Sequence, residues 1–141
     1  IFSLQSSNAP ETSPEKLILE TVNRTNNYIA ENHGDTGMFA TMFIGFLDSK
    51  TGDLFYVNCG HEPPPLIRSG EIRQFLKATG LAVGVMEDSA YSCHKVTLER
   101  GDYIFLYTDG IIDALDHEGK AFSKDRLLKI VSGNRDGFSA G

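Results

Sequence analysis

Hydrophobic positions along the chain follow two periods in succession. Leu17, Ile18, Thr21, Val22, Thr25, Tyr28 and Ile29 recur at helical spacing and make one apolar stripe. Ser13-Pro14-Glu15 supplies the start, with a serine to cap, a proline whose missing N–H costs nothing in the first turn, and an acid beside the positive end of the helix. The spacing predicts an amphipathic helix of about four to five turns, ending near Asn32-His33-Gly34 with glycine as its cap. From Phe39 the period becomes that of strands. Phe39 to Leu47 is apolar enough to predict a strand buried on both faces. Asp48-Ser49-Lys50-Thr51-Gly52-Asp53 turns it into Leu54 to Asn58, which predicts a hairpin. Further strands are expected at Leu66–Arg68, Ile72–Leu76, Tyr91–Leu98 and Tyr103–Tyr107, separated by proline, Ser-Gly-Glu and Glu-Arg-Gly-Asp breaks. A short helix from Ile111 to Asp116 and a last one opened by Ser123 and carried by Leu127, Leu128, Ile130 and Val131 complete the pattern. Short, evenly spaced strands with flanking helices predict an α+β fold of layered antiparallel β-sheets.

Composition narrows this picture. The 141 residues, 40% hydrophobic and 23% charged, suit one domain with a single core, leaving residues 1–13 as an irregular lead-in and 133–141 as a flexible tail. Nineteen acidic against 13 basic residues give a net charge of −6, and no basic cluster forms, so nucleic acid is excluded as an expected partner. No apolar run reaches the roughly 20 residues a membrane helix needs, and a signal pattern is absent, which predicts a cytoplasmic protein without membrane insertion. Cys59 and Cys93 fall in strand-like segments and are expected to be packed thiols. His61 and His94 stand near them, but neither spacing matches a zinc finger or ribbon.

Candidate chemistry gathers at two strand exits. Tyr103 to Tyr107 runs into Thr108-Asp109-Gly110, so a carboxylate stands where a buried strand ends. Ionising it there costs desolvation energy unless a cation or several donors face it, which suits a hard metal ion. Capping of the following helix is the alternative. At Asn58-Cys59-Gly60-His61-Glu62-Pro63-Pro64 glycine permits close backbone approach and the prolines fix an extended exit. His61 there suits a general acid, a metal ligand, a phosphate contact, or a ring that ties the loop to a carbonyl. Thr79-Gly80-Leu81-Ala82-Val83-Gly84-Val85 lacks the dinucleotide fingerprint and reads as a tight loop packing near the site.

Taken in order, these pieces resemble the bacterial metal-dependent protein phosphatases of the stage II sporulation phosphatase and sigma-B regulator group, relatives of the type 2C serine/threonine phosphatases. The resemblance is carried by Ser13-Pro14, Phe39-Ala40-Thr41-Met42-Phe43, Asn58 to Pro64, Gly80 to Gly84, Leu98-Glu99-Arg100-Gly101-Asp102 and Leu106 to Ala114. Alanine usually precedes the family's Gly-His, asparagine follows it, and glutamate stands at the position of Asp113. The resemblance implies an α-β-β-α sandwich and a pair of divalent cations, manganese or magnesium, with Asp109 as one ligand. Thr108, Gly110, Gly60, His61 and Asp113 are expected to line the site.

The family's other metal aspartates lie in a Gly-Asp segment and an Asp-x-x-Gly-x-Gly segment upstream of the position of Ile1 and in an Asp-Asp segment near the family's C-terminal strand, and the resemblance finds no counterpart of them here. The expectation is therefore a partial phosphatase domain, truncated at both ends, whose parent hydrolyses phosphoserine or phosphothreonine while the piece alone is inactive. The resemblance further implies a phosphorylated anti-anti-sigma factor as partner. Removal of strands implies self-association of the piece through exposed sheet edges. A non-catalytic phosphatase-like interaction module is the alternative, and an unrelated β-rich ligand-binding domain a third. Asp35 lies near a place where some relatives carry an extra metal carboxylate, but its spacing favours a solvated turn.

Overall fold

The computed structural model describes residues 13–133. The lead-in expected at 1–13 and the tail expected at 133–141 lie outside the described residues except at their inner ends, where Ser13 caps the first helix and Gly133 ends the last. Helix α1 spans Pro14–His33, with the Ser13 hydroxyl accepting from the Lys16 N–H at 3.3 Å, and buries Ile18, Val22 and Asn26. It ends where expected, although Gly34 stays right-handed and enters a short 3-10 turn. The left-handed residue is Gly37, at φ 65°.

Two three-stranded antiparallel sheets follow. The first has the order β1-β2-β5, built from β1 (Met42–Leu47), β2 (Asp53–Cys59) and β5 (His94–Thr97). The second has the order β4-β3-β6, built from β4 (Glu71–Phe75), β3 (Pro65–Arg68) and β6 (Tyr103–Ile104). The hairpin pairs Leu47 with Leu54 and Met42 with Cys59. One-turn helix α2 (Asp109–Ile112) and α3 (Lys124–Gly133) complete the order.

Alternation along β2 assembles the layers. Val57 and Cys59 point with Phe55 toward Ile18 and Val22 of α1, whereas Leu54 and Tyr56 pack with Leu76 and Ile104 between the two sheets. On the far side Ile67 and Tyr107 meet Leu127 and Val131 of α3. The result is helix, sheet, sheet, helix. Each aliphatic side chain fully buried in these clusters contributes about 1.5–3 kcal/mol.

Four elements differ from expectation, and the simplest is the strand expected at Tyr91–Leu98, which pairs only over His94–Thr97. Strand β1 is not buried on both faces: among the described residues it is an edge strand beside β2, and Phe46 and Leu47 at its end are 42% and 51% exposed. The strand expected at Tyr103–Tyr107 pairs regularly only through Ile104, after which the Phe105 N–H still donates to the Pro65 carbonyl at 3.1 Å. The helix expected to Asp116 stops at Ile112, since Leu115 turns back to bridge Ala121. Within Leu98–Asp102 the carboxylate of Asp102 takes two bonds from the Arg68 guanidinium, at 2.8 and 2.6 Å, and one from the Glu99 N–H. That segment is therefore a structural turn locked to β3.

Candidate active site

The two strand exits meet. Gly60, His61 and Glu62 on one side and Thr108 and Asp109 on the other, with Thr41, line a cleft of about 160 Å³.

The first side is shaped by a buried asparagine. Asn58 is completely buried and bonded at both ends of its side-chain amide: the nitrogen donates to the Leu76 carbonyl at 3.0 Å and the oxygen accepts from the His61 N–H at 2.8 Å. Its backbone N–H donates to the Thr79 hydroxyl at 3.1 Å, and its carbonyl accepts from the Thr79 N–H at 2.8 Å. Fully paired, such a group rigidifies its surroundings, whereas unpaired it would be costly. The loop is thus held through the His61 backbone, and among the described residues the His61 ring makes no hydrogen bond. Gly60 has φ 70°, and a Cβ there would stand 3.2 Å from the Ala82 nitrogen, so the Gly80–Gly84 loop packs directly behind the corner as its sequence suggests.

Behind that loop, Asn26 of α1 repeats the device. It accepts from the Gly84 N–H and the Tyr91 hydroxyl, each at 2.9 Å, and donates to the Met86 carbonyl at 2.9 Å.

The second side is lighter. Thr108 precedes α2 in extended conformation without a side-chain cap, and the Asp113 N–H donates to the Asp109 carbonyl at 2.9 Å. The Asp109 carboxylate makes no hydrogen bond among the described residues, so it does not cap its helix. It is also exposed rather than desolvated, because the chain leaves the sheet before reaching it. Of the expected residues, Gly60, His61, Thr108 and Asp109 converge. Gly110 adjoins the cleft without lining it, and Asp113 ends α2 exposed on the surface, outside the lining.

Glu62 and Thr41 are additions that sequence reasoning missed as site residues. Glu62 Oε2 accepts from Lys124 Nζ at 2.8 Å and from the Tyr107 hydroxyl at 3.4 Å. The Lys124 hydrogen bond holds the Glu62 carboxyl below the ordinary carboxylate range, and Glu62 in turn holds the Lys124 ammonium above its ordinary value. Adjacency to the Gly-His corner was the available signal for Glu62, but its partner stands 62 residues away.

Oxygen donors of this kind suit a hard cation. Among the described residues, however, no three His, Cys, Asp or Glu side chains come together to hold a metal ion, so these residues alone do not complete a site. The same holds for zinc at the cysteines. Cys59 is a buried free thiol, pushed up to about 11 by burial, and Cys93 is a half-buried free thiol.

A four-layer sandwich of two antiparallel sheets between helices, with a carboxylate and a Gly-His corner sharing a cleft where two strands end, defines a phosphatase-like class of domain. The chain belongs to the stage II sporulation protein E (SpoIIE) family, whose model matches residues 3–139. It is 41% identical over 122 residues to protein IcfG of Synechocystis sp., an alignment covering 86% of this chain and 19% of that protein. It is 30% identical over 124 residues to phosphoserine phosphatase RsbU of Bacillus subtilis, covering 86% of this chain and 36% of that protein. The chain therefore spans about a fifth to just over a third of these relatives. A crystal structure of RsbU and RsbW domains from Mycobacterium tuberculosis superposes with a TM-score of 0.65 at 26% identity, over 92% of this chain and 34% of that one. The manganese-presoaked phosphatase domain of SpoIIE from Bacillus subtilis superposes with a TM-score of 0.53 at 15% identity, over 94% of this chain and 59% of that one, a likeness of fold. Among the described residues no helix is long and apolar enough to cross a membrane.

Proposed function

We propose that the complete protein is a metal-dependent phosphatase that hydrolyses phosphoserine or phosphothreonine on a regulatory protein of the anti-anti-sigma type, working in the cytoplasm. One observation carries this reading: Asp109 and the Gly60–His61 corner, 48 residues apart, face the same cleft. Support comes from the name of RsbU as a phosphoserine phosphatase and from the occurrence of an RsbU domain beside an RsbW domain in a superposable structure.

Asp109 is the carboxylate that would join a manganese or magnesium pair in the complete domain. Bound there, such ions polarise phosphoryl oxygens and lower the pKa of a water. The chain's own residues shape the approach. Asn58 fixes the His61 backbone, Gly60 lets the corner pass close to Ala82, and Thr108 and Gly110 flank the carboxylate at the opposite lip. On this reading the 141-residue chain alone turns over no phosphoester, because Asp109 is one donor where each cation wants about six. The test is release of phosphate from a phosphoserine peptide by the full-length protein with manganese, with magnesium and with a chelator. Turnover that survives the chelator, or absence of turnover with either ion, would overturn the proposal.

A further inference from the structure

An ion pair ties one lip of the cleft to helix α3 beside the other lip. Glu62 follows His61 on one lip, and Tyr107 precedes Thr108-Asp109 on the other. Lys124 and Tyr107 donate to the same atom: Glu62 Oε2 accepts from Lys124 Nζ at 2.8 Å and from the Tyr107 hydroxyl at 3.4 Å, and Lys124 Nζ stands 6.0 Å from the centre of the Tyr107 ring. Lys124 opens α3, whose Leu127 and Val131 are buried with Tyr107 and Ile67, so the cation stands on a firmly packed base. Among the described residues Glu62 uses only Oε2 in hydrogen bonds, which leaves Oε1 without a bonded partner beside the cleft.

Charge makes the second half of the case. The cleft lining contains two carboxylates, Glu62 and Asp109, in a chain of net charge −6. A phosphoryl dianion entering such a cleft meets repulsion from both unless one is cancelled. Lys124 does not line the cleft, yet its ammonium cancels Glu62.

We propose that Lys124 is a positioning residue: through Glu62 and Tyr107 it holds the His61 lip and the Asp109 lip in register and cancels the Glu62 charge, so that Asp109 is the one cleft carboxylate left for a cation when a phosphorylated side chain arrives. This role rests on the phosphatase reading for its kinetic consequence and on geometry alone for its structural one.

Two readouts on the full-length protein separate them. The lips carry one glycine each, Gly60 and Gly110, so selective 15N-glycine labelling reports both. K124M and E62Q are each expected to shift the Gly60 and Gly110 amide signals together, with K124R restoring the wild-type positions. In turnover of a phosphoserine peptide with manganese, K124M is expected to raise KM about fivefold, the size of losing a half-exposed charge pair, with kcat changed less than twofold, and K124R to recover KM. Signal changes confined to Gly133 of α3, or a fall in kcat at unchanged KM that K124R does not rescue, would overturn the positioning role. Wild-type protein inert toward every phosphoester would remove the phosphatase reading while the glycine signals still decide whether the clamp exists.

Discussion

Facing each other across one cleft, the two lips are built by opposite means. The Asn58–His61 part of the first lip rests on neutral, buried hydrogen bonds: the Asn58 side chain is bonded through both its oxygen and its nitrogen, Thr79 answers it from the next loop, and Asn26 braces that loop from α1. The Thr108–Gly110 lip leaves the core at Tyr107 and continues exposed, with a one-turn helix and no side-chain cap behind it. Buried, satisfied polar groups give rigidity because every alternative arrangement strands a donor or acceptor away from water. An exposed carboxylate carries no such penalty, so Asp109 is free to take a ligand. The first lip is a stability element and the second is the one on which the proposed chemistry rests.

Breaking this contrast should therefore give effects of different kinds. The largest is expected from Asn58→Ala, which strands the Leu76 carbonyl and the His61 N–H and should cost about 3 kcal/mol in urea unfolding. Asp109→Asn should leave unfolding free energy within about 0.5 kcal/mol, as for an exposed side chain without partners, while lowering phosphate release by the full-length protein about 100-fold. An equal loss of stability in both variants would erase the distinction between the lips. Gly84→Ala tests the brace behind the first lip. At φ 88° a Cβ would come within 2.3 Å of Ile29 Cγ2 and 3.1 Å of the Met38 carbonyl oxygen, and about 2 kcal/mol of destabilisation is expected by thermal melting.

The smallest effect belongs to Asp102, remote from both lips. Its hydrogen bonds from Arg68 hold its carboxyl below the ordinary value, so the folded state binds that proton less readily than the unfolded one. The stabilisation is present above an unfolded pKa of about 3.9 and disappears as pH falls through the lowered folded value. Asp102→Asn should cost about 1.5 kcal/mol at neutral pH, and the difference from wild type should shrink in urea titrations carried below pH 4.

Local signals made much of this legible. The Ser13 cap, the apolar stripe of α1, the Leu47–Leu54 hairpin and the layered sheets follow from periodicity and turn chemistry, and the strand exits brought Asp109 and His61 to notice. Asn26 had a signal too, as a polar residue four positions after Val22 on a buried stripe. The burial of β1 was misjudged because an apolar run does not say how many neighbours a strand will have. Glu62 stayed hidden because its meaning depends on Lys124, and no pattern of nearby residues encodes a contact between a corner and the first turn of a distant helix.

What the chain determines by itself is which residues favour helix, strand or turn, and which residue types could do chemistry, because these depend on sterics and side chains within a few positions. Tertiary structure alone decided that Asp109 would be exposed and not spent on capping its helix, that Asn58 would be buried and bonded, and that Lys124 and Tyr107 would meet at Glu62. Those outcomes depend on which elements pack across the sheets, and burial and charge pairing are properties of that packing.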